Sequence, residues 1–348
     1  MSYLRNILKS EIPIANLYSQ LGYFTRFHIN IYPTESTRQL SDIDVFAIKF
    51  DNSLLPYVTL IEVKEESNKF SDLFKLYGFK TFYGDCKAVF VTKKVHERTI
   101  PIAKQLQINL LTVSKLKELA EKDESIKIER FTLKSAIQFF NNLDEIKKID
   151  PQLYWTYHYL WLEKDPFRRF YHQQKLFTIT NEKISEDFKS PISWYRRELF
   201  ILSIISLVEI ASNCITLDEK ILKSYIESKF LNVDVSYDAR KKIKTGVDVL
   251  IEEIKKMGIE MVFDELEIMP KYVPLIVELI NKIIKNSQEI QYYININEYI
   301  TRLMLKEKEV ILADIVENDK IKFIRSLNEL VLRILHSGPI KYDFSYFV

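Results

Sequence analysis

A chain of 348 residues with 47% apolar and 28% charged side chains can bury sizeable cores, and at roughly 150 residues per domain its length suits two domains. Six glycines and ten prolines exclude disordered, collagen-like and low-complexity chains, and two cysteines, Cys86 and Cys214, are too few for a disulfide framework. A formal charge of +2, with a slight basic excess in residues 1–120 and a slight acidic excess after them, excludes a protein that grips nucleic acid by bulk charge.

In chain order, Pro13 suits the first turn of a helix that ends at Gly22, a residue type favoured just past a helix C-terminus. Three β-prone runs follow at Tyr23–Ile31, Ile43–Phe50 and Tyr57–Lys64, the last two separated by the turn cluster Asp51-Asn52-Ser53. Ser71–Phe82 has helical spacing, Ala88–Thr92 reads as a buried strand, and Thr99–Gln107 as a helix. Ile108–Thr112 is a further strand, and Ser114 is expected to cap a helix reaching Lys122. This order predicts an α/β unit over residues 1–125, a mixed sheet flanked by helices. From 126 to 348 an all-α domain is expected, with helical periods at 133–149, 194–211, 217–230, 239–257, 273–285, 296–307 and 322–335 and one short candidate strand at Tyr292–Ile296. The longest apolar run, Phe200–Ala211, is broken by Glu209 and too short for a bilayer, and Met1–Ile12 has no signal-peptide core. The expectation is a soluble cytoplasmic protein with no membrane association.

The chemistry concentrates in Ser41-Asp42-Ile43-Asp44 and Ile61-Glu62-Val63-Lys64. Side chains alternate along a strand, so Glu62 and Lys64 share a face about 7 Å apart, as do Asp42 and Asp44. If the two runs pair as a hairpin, Asp44 comes beside Glu62, and two carboxylates and an ammonium converge within otherwise apolar strands. Carboxylate oxygens suit Mg²⁺, which completes its shell with water and phosphate oxygens, and a lysine beside them can orient water or offset charge in the transition state. The rival reading is a solvated hairpin whose charges face water. The D/E-x-K pattern also occurs at Asp85, Glu145, Asp187, Asp218, Glu227 and Glu253, but only the copy at Glu62 ends an apolar β-run that follows an Asp-bearing one.

Ile43-Asp44 followed by Glu62-Val63-Lys64, in this helix and strand order, resembles the PD-(D/E)xK, or restriction-endonuclease-like, nuclease superfamily. The resemblance covers residues 5–120 and does not reach the helical half. Ile43 stands where the family motif has proline. The resemblance implies that Asp44 and Glu62 are metal ligands, that Lys64 is the catalytic lysine, and that Glu11, 11 residues ahead of Gly22, is the additional acidic residue carried on the preceding helix. It further implies Mg²⁺ or Mn²⁺ as cofactor and DNA as substrate, although nothing in the residues excludes RNA. The family's glutamine on the following helix is missing, as no Gln occurs between Ser67 and Phe82; Lys75, Tyr77 or Lys80 is left to contact phosphate. Cutting both strands of a duplex calls for two sites, which makes a homodimer attractive. The alternatives are a non-catalytic nucleic-acid-binding or scaffolding protein that keeps the fold, and a subunit of a defence or repair complex triggered by a partner such as an ATPase.

Tyr154–Phe177 interleaves Trp155, Tyr157, Tyr159, Trp161, Phe167, Phe170 and Tyr171 with Arg168, Arg169, His158, His172 and Lys175. Aromatic rings can stack on unpaired bases while Arg168 and Arg169 hold phosphates, or the stretch is a helical core with the arginines at its edge. Trp194-Tyr195-Arg196-Arg197 allows the same two readings, and Arg240-Lys241-Lys242-Ile243-Lys244 is either a phosphate grip or a solvated face. The five histidines form no HExxH-type pair, which argues against zinc, and the glycines form neither a Walker A loop nor GxGxxG.

Overall fold

The computed structural model describes residues 2–32, 38–64, 70–121, 129–181, 190–233, 245–246, 249–254, 256–257, 272–306 and 316–336. The Arg240–Lys244 run and the boundary expected near residue 125 lie outside the described residues, as does part of the helix expected over 239–257.

Helix α1 spans Ser2–Gln20, so the helix begins well before Pro13, which lies inside it on the exposed side. Leu8, Glu11, Ile12, Ala15 and Tyr18 form its buried face at spacings of three and four, and that face carries the helix through a proline that removes one hydrogen bond. Gly22 adopts φ +85°, with Gly22 N donating to Ser19 O at 3.0 Å and Tyr23 N to Tyr18 O at 3.1 Å. This is a Schellman closure, and it turns the chain directly into the sheet.

Strands β1 (Phe24–Ile31), β2 (Ser41–Phe50), β3 (Pro56–Lys64), β4 (Lys87–Thr92) and β5 (Ile108–Thr112) lie side by side in sequence order. The first two pairings are antiparallel and the last two parallel, giving the mixed sheet expected. Asp51 closes the β2–β3 hairpin, its Oδ1 accepting from Ser53 N at 2.8 Å and Leu55 N at 3.0 Å. Helices α2 (Phe70–Tyr83) and α3 (Thr99–Gln105) make the two parallel crossovers, and α4 (Val113–Glu121) follows β5. The cap of α4 is Thr112, whose Oγ1 accepts from Lys115 N at 3.2 Å; Ser114 is already inside the helix.

The remainder is mostly helical: α5 (Leu133–Ile149), α6 (Pro151–Leu160), α7 (Pro166–Asn181), α8 (Pro191–Cys214), α9 (Glu219–Val233), α10 (Val273–Lys285), α11 (Ser287–Met304) and α12 (Asn318–His336). Helix α8 is buried on nearly every side and packs against α5, α7, α10, α11 and α12. Tyr292–Ile296, a candidate strand by its β-branched and aromatic content, lies inside α11. There Tyr293 is buried and donates to Asn328 on α12 at 2.8 Å, so tertiary packing overrides the local propensity.

The sheet and the helices share one apolar core, and a buried polar network joins them. Arg26 on β1 donates to both carboxylate oxygens of Glu198 on α8 (2.7 and 2.5 Å) and of Glu298 on α11 (2.7 and 2.9 Å). Arg302 on α11 pairs with Glu298 at 2.6 Å and donates to Ser19 at the end of α1, while Tyr157 on α6 donates to Glu198. This network fixes β1 against the helices two residues before His28. No helix among the described residues is long and apolar enough to cross a membrane.

Candidate active site

The antiparallel register pairs Val45 with Ile61, so one step further along the hairpin Asp44 falls in line with Glu62. Hairpin pairing thus brings together two carboxylates that lie eighteen positions apart in the chain. Both are buried, Asp44 at 4% exposure and Glu62 at 1%. Asp44 Oδ2 accepts from Val63 N at 2.7 Å, which locks the carboxylate against β3. Lys64, at the end of β3 and partly exposed, places Nζ 2.7 Å from Glu62 Oε1 and 3.8 Å from Asp44 Oδ2.

Lys75 enters from α2, between the buried anchors Leu73 and Leu76. Its ammonium lies 2.9 Å from Asp42 Oδ1, 3.0 Å from Glu62 Oε2 and 3.8 Å from Asp44 Oδ1. Glu11 projects from the buried face of α1 onto His28 of β1, with Oε1 3.4 Å from Nδ1, and the same Nδ1 lies 3.6 Å from Asp42 Oδ2. Four acidic groups, two lysines and one histidine from α1, β1, β2, β3 and α2 therefore meet at one end of the hairpin.

Burial sets the electrostatics. It pushes the Glu62 carboxyl up to about 7, reinforced by the neighbouring Asp44 charge and opposed by Lys75 and Lys64. Asp44 is raised by burial against the pull of the same two lysines. Glu11 is pushed up to about 8 by burial, with His28 opposing. At Asp42 burial acts upward too, but Lys75 outweighs it and the carboxyl lies below its ordinary value. Burial works against the charge on Lys64, and Asp44 and Glu62 more than restore it. Carboxylates held this reluctantly ionised gain from any cation placed among them, and hard oxygen donors in this number suit a divalent ion.

Asp44, Glu62 and Lys64 are mutually adjacent. Glu11 reaches His28 rather than the Asp44–Glu62 pair, and Lys75 touches carboxylates. The other expected contacts to nucleic acid lie elsewhere: Tyr77 is exposed on α2, and Lys80 donates to Gln107 at 3.0 Å. Arg168 is exposed on α7, whereas Arg169 turns inward to Ser206 at 2.9 Å and to Glu209, so its charge is neutralised inside the helical half. Arg196 and Arg197 are buried as well, Arg197 donating to Asn297 at 2.6 Å.

Sequence reasoning missed His28 and left Asp42 without a role. His28 has φ +49° in the middle of a strand, a backbone state uncommon for a residue other than glycine, and only the folded chain displays it. Asp42 did carry a signal, its alternation with Asp44. Comparison with protein-family models, with curated proteins and with solved structures finds no match for this chain.

Proposed function

We propose that this protein is a metal-dependent nuclease that hydrolyses phosphodiester bonds in DNA, with a catalytic unit of the PD-(D/E)xK, restriction-endonuclease-like kind. The observation that carries this reading is the buried Asp44–Glu62 pair with the Lys64 ammonium against both. Asp44 and Glu62 would hold Mg²⁺ or Mn²⁺. Bound there, the cation supplies Lewis-acid polarisation of the phosphodiester and a more acidic water. Lys64 is anchored by Glu62 yet partly open to solvent, so its remaining protons can hydrogen-bond a phosphate oxygen and offset charge as it develops. Val63 N holds Asp44 in one orientation, so this carboxylate needs no reordering on binding.

A second reading, a nucleic-acid-binding scaffold without cleavage or a subunit that cuts only when a partner triggers it, is favoured by Lys75. Its ammonium already neutralises the carboxylates that a metal would use. The deciding experiment incubates the purified chain with plasmid, single-stranded and branched DNA and with RNA, each in Mg²⁺, Mn²⁺ or EDTA. Cleavage that EDTA stops and that Asp44→Asn abolishes supports the nuclease. A wild type that binds but never cuts supports the scaffold, and cleavage that appears only with an added ATPase or other complex component supports the triggered subunit.

A further inference from the structure

We infer that Glu11, His28 and Asp42 form a second cation site, beside the Asp44–Glu62 pair and distinct from it, selective for borderline first-row divalent ions of the Mn²⁺ type over Mg²⁺. The inference extends the nuclease reading by giving the protein two metal sites of different chemistry.

One donor atom from each of the three residues lies within 4.8 Å of the other two. Neighbouring donors around an octahedral first-row ion stand about 3.0 Å apart, given bonds near 2.1–2.2 Å. His28 Nδ1 is 3.4 Å from Glu11 Oε1 and 3.6 Å from Asp42 Oδ2, so closure onto an ion needs shifts of a few tenths of an ångström at each of these edges. The contacts as they stand exceed a well-formed hydrogen bond. Glu11 is 2% exposed, and its second oxygen, Oε2, is buried with no hydrogen-bond partner. A buried carboxylate oxygen left in that state is costly and calls for an ion or equivalent partner.

The donor set decides the selectivity. Mg²⁺ prefers oxygen ligands throughout and gives up its waters reluctantly, whereas imidazole nitrogen suits transition ions. Two carboxylates with a neutral imidazole also balance one divalent charge. Asp42 links the centres without merging them, since Oδ1 serves Lys75 and Oδ2 faces His28. The unusual backbone at His28 accords with this role. The imidazole approaches Glu11 from a strand residue at φ +49°, and such strain gathers at functional positions.

The test counts bound Mn²⁺ in the full chain from the paramagnetic resonance of the free ion, with no substrate present. Wild type is expected to hold two ions, with a large excess of Mg²⁺ displacing one of them. His28→Asn removes the imidazole with a residue that tolerates positive φ and should weaken one ion at least about 10-fold, since even indirect partners of a metal ligand are worth that much. Glu11→Gln, nearly isosteric, must give the same one-ion result and stands in if His28→Asn does not fold. Glu62→Gln should leave the Mg²⁺-resistant ion in place. One ion in wild type, lost in Glu62→Gln and kept in His28→Asn, overturns the second site and leaves the nuclease reading intact. One ion lost only in His28→Asn supports this site and removes the metal from the Asp44–Glu62 pair. No bound ion overturns both.

Discussion

Replacing Arg26 by Met tests whether the sheet that carries the site is held by the buried charge network. Arg26 is 2% exposed and makes five charge-assisted hydrogen bonds, two to Glu198, two to Glu298 and one to the Thr25 carbonyl. Met fills much of the same volume, so packing loss is small and the electrostatic loss dominates. Glu298 keeps Arg302, but Glu198, with no exposed surface, keeps only the Tyr157 hydroxyl at 3.0 Å among these partners. Breaking a buried pair from one side costs about 3–5 kcal/mol because the surviving charge has no counterion. For a protein of this size that corresponds to a melting point lower by roughly 6–15 °C. Urea titration and a thermal melt measure the loss. Arg26→Met combined with Glu198→Gln removes the stranded charge and keeps a group that can accept from Tyr157, so it should recover at least about half of the deficit. A single variant that loses less than about 1 kcal/mol, or a double variant no more stable than the single, would refute the reasoning.

The sheet was legible because its strands are apolar runs bounded by turn residues, and Gly22 and Asp51 act as their residue types suggest. The Asp44–Glu62–Lys64 cluster was legible for a related reason: strand alternation has a period of two, and a hairpin sets register locally. His28 was not, because Glu11, His28 and Asp42 meet only when α1 is folded back over β1, and nothing in their spacing says so. The inward turn of Arg169 was equally hidden, as its partners Ser206 and Glu209 lie on another helix. Helix α8 shows why charge misleads most in this chain. Arg196 and Arg197 read as phosphate contacts or as arginines at the edge of a helical core, yet both are buried together with Glu198, and Arg197 and Glu198 find partners a hundred residues and more away. Sequence pattern reports periodicity well and long-range pairing of charges poorly, and the buried polar network that joins the helices to β1 depends on the latter.

Glu62→Gln and Lys64→Ala should each slow single-turnover cleavage in Mg²⁺ by at least about 10²-fold. Lys64→Ala should leave DNA binding in Ca²⁺ nearly intact; equal losses in both assays would make Lys64 a binding group only. Arg169→Ala should lower the melting point without changing the salt dependence of DNA binding, because its guanidinium faces Glu209. Arg168→Ala should leave the melting point alone, and a shallower salt slope in the Arg169 variant would contradict its inward role. The last expectation concerns pH. In the chelated protein Glu62 is pushed up to about 7 and Glu11 up to about 8, both chiefly by burial, against an ordinary value of 4.5. Between those limits the folded chain keeps protons that the unfolded chain has released, so stability is greatest below the ordinary value and falls as pH rises. Each such group contributes up to about 1.4 kcal/mol per pH unit over its own interval. His28, raised overall by Glu11 against the opposing effect of burial, acts in the same direction. With EDTA present, the melting point should therefore drop between about pH 5.5 and about pH 8. Saturating Mn²⁺ should flatten the drop, because an ion among the carboxylates is worth most when they are ionised. Glu62→Gln and Glu11→Gln should flatten it without metal, since an amide has no proton to lose. A wild-type melting point in EDTA that climbs over this interval would mean that these carboxylates are already ionised at low pH, with the two lysines and His28 as sufficient counterions, and the electrostatic case for a cation among them would fail.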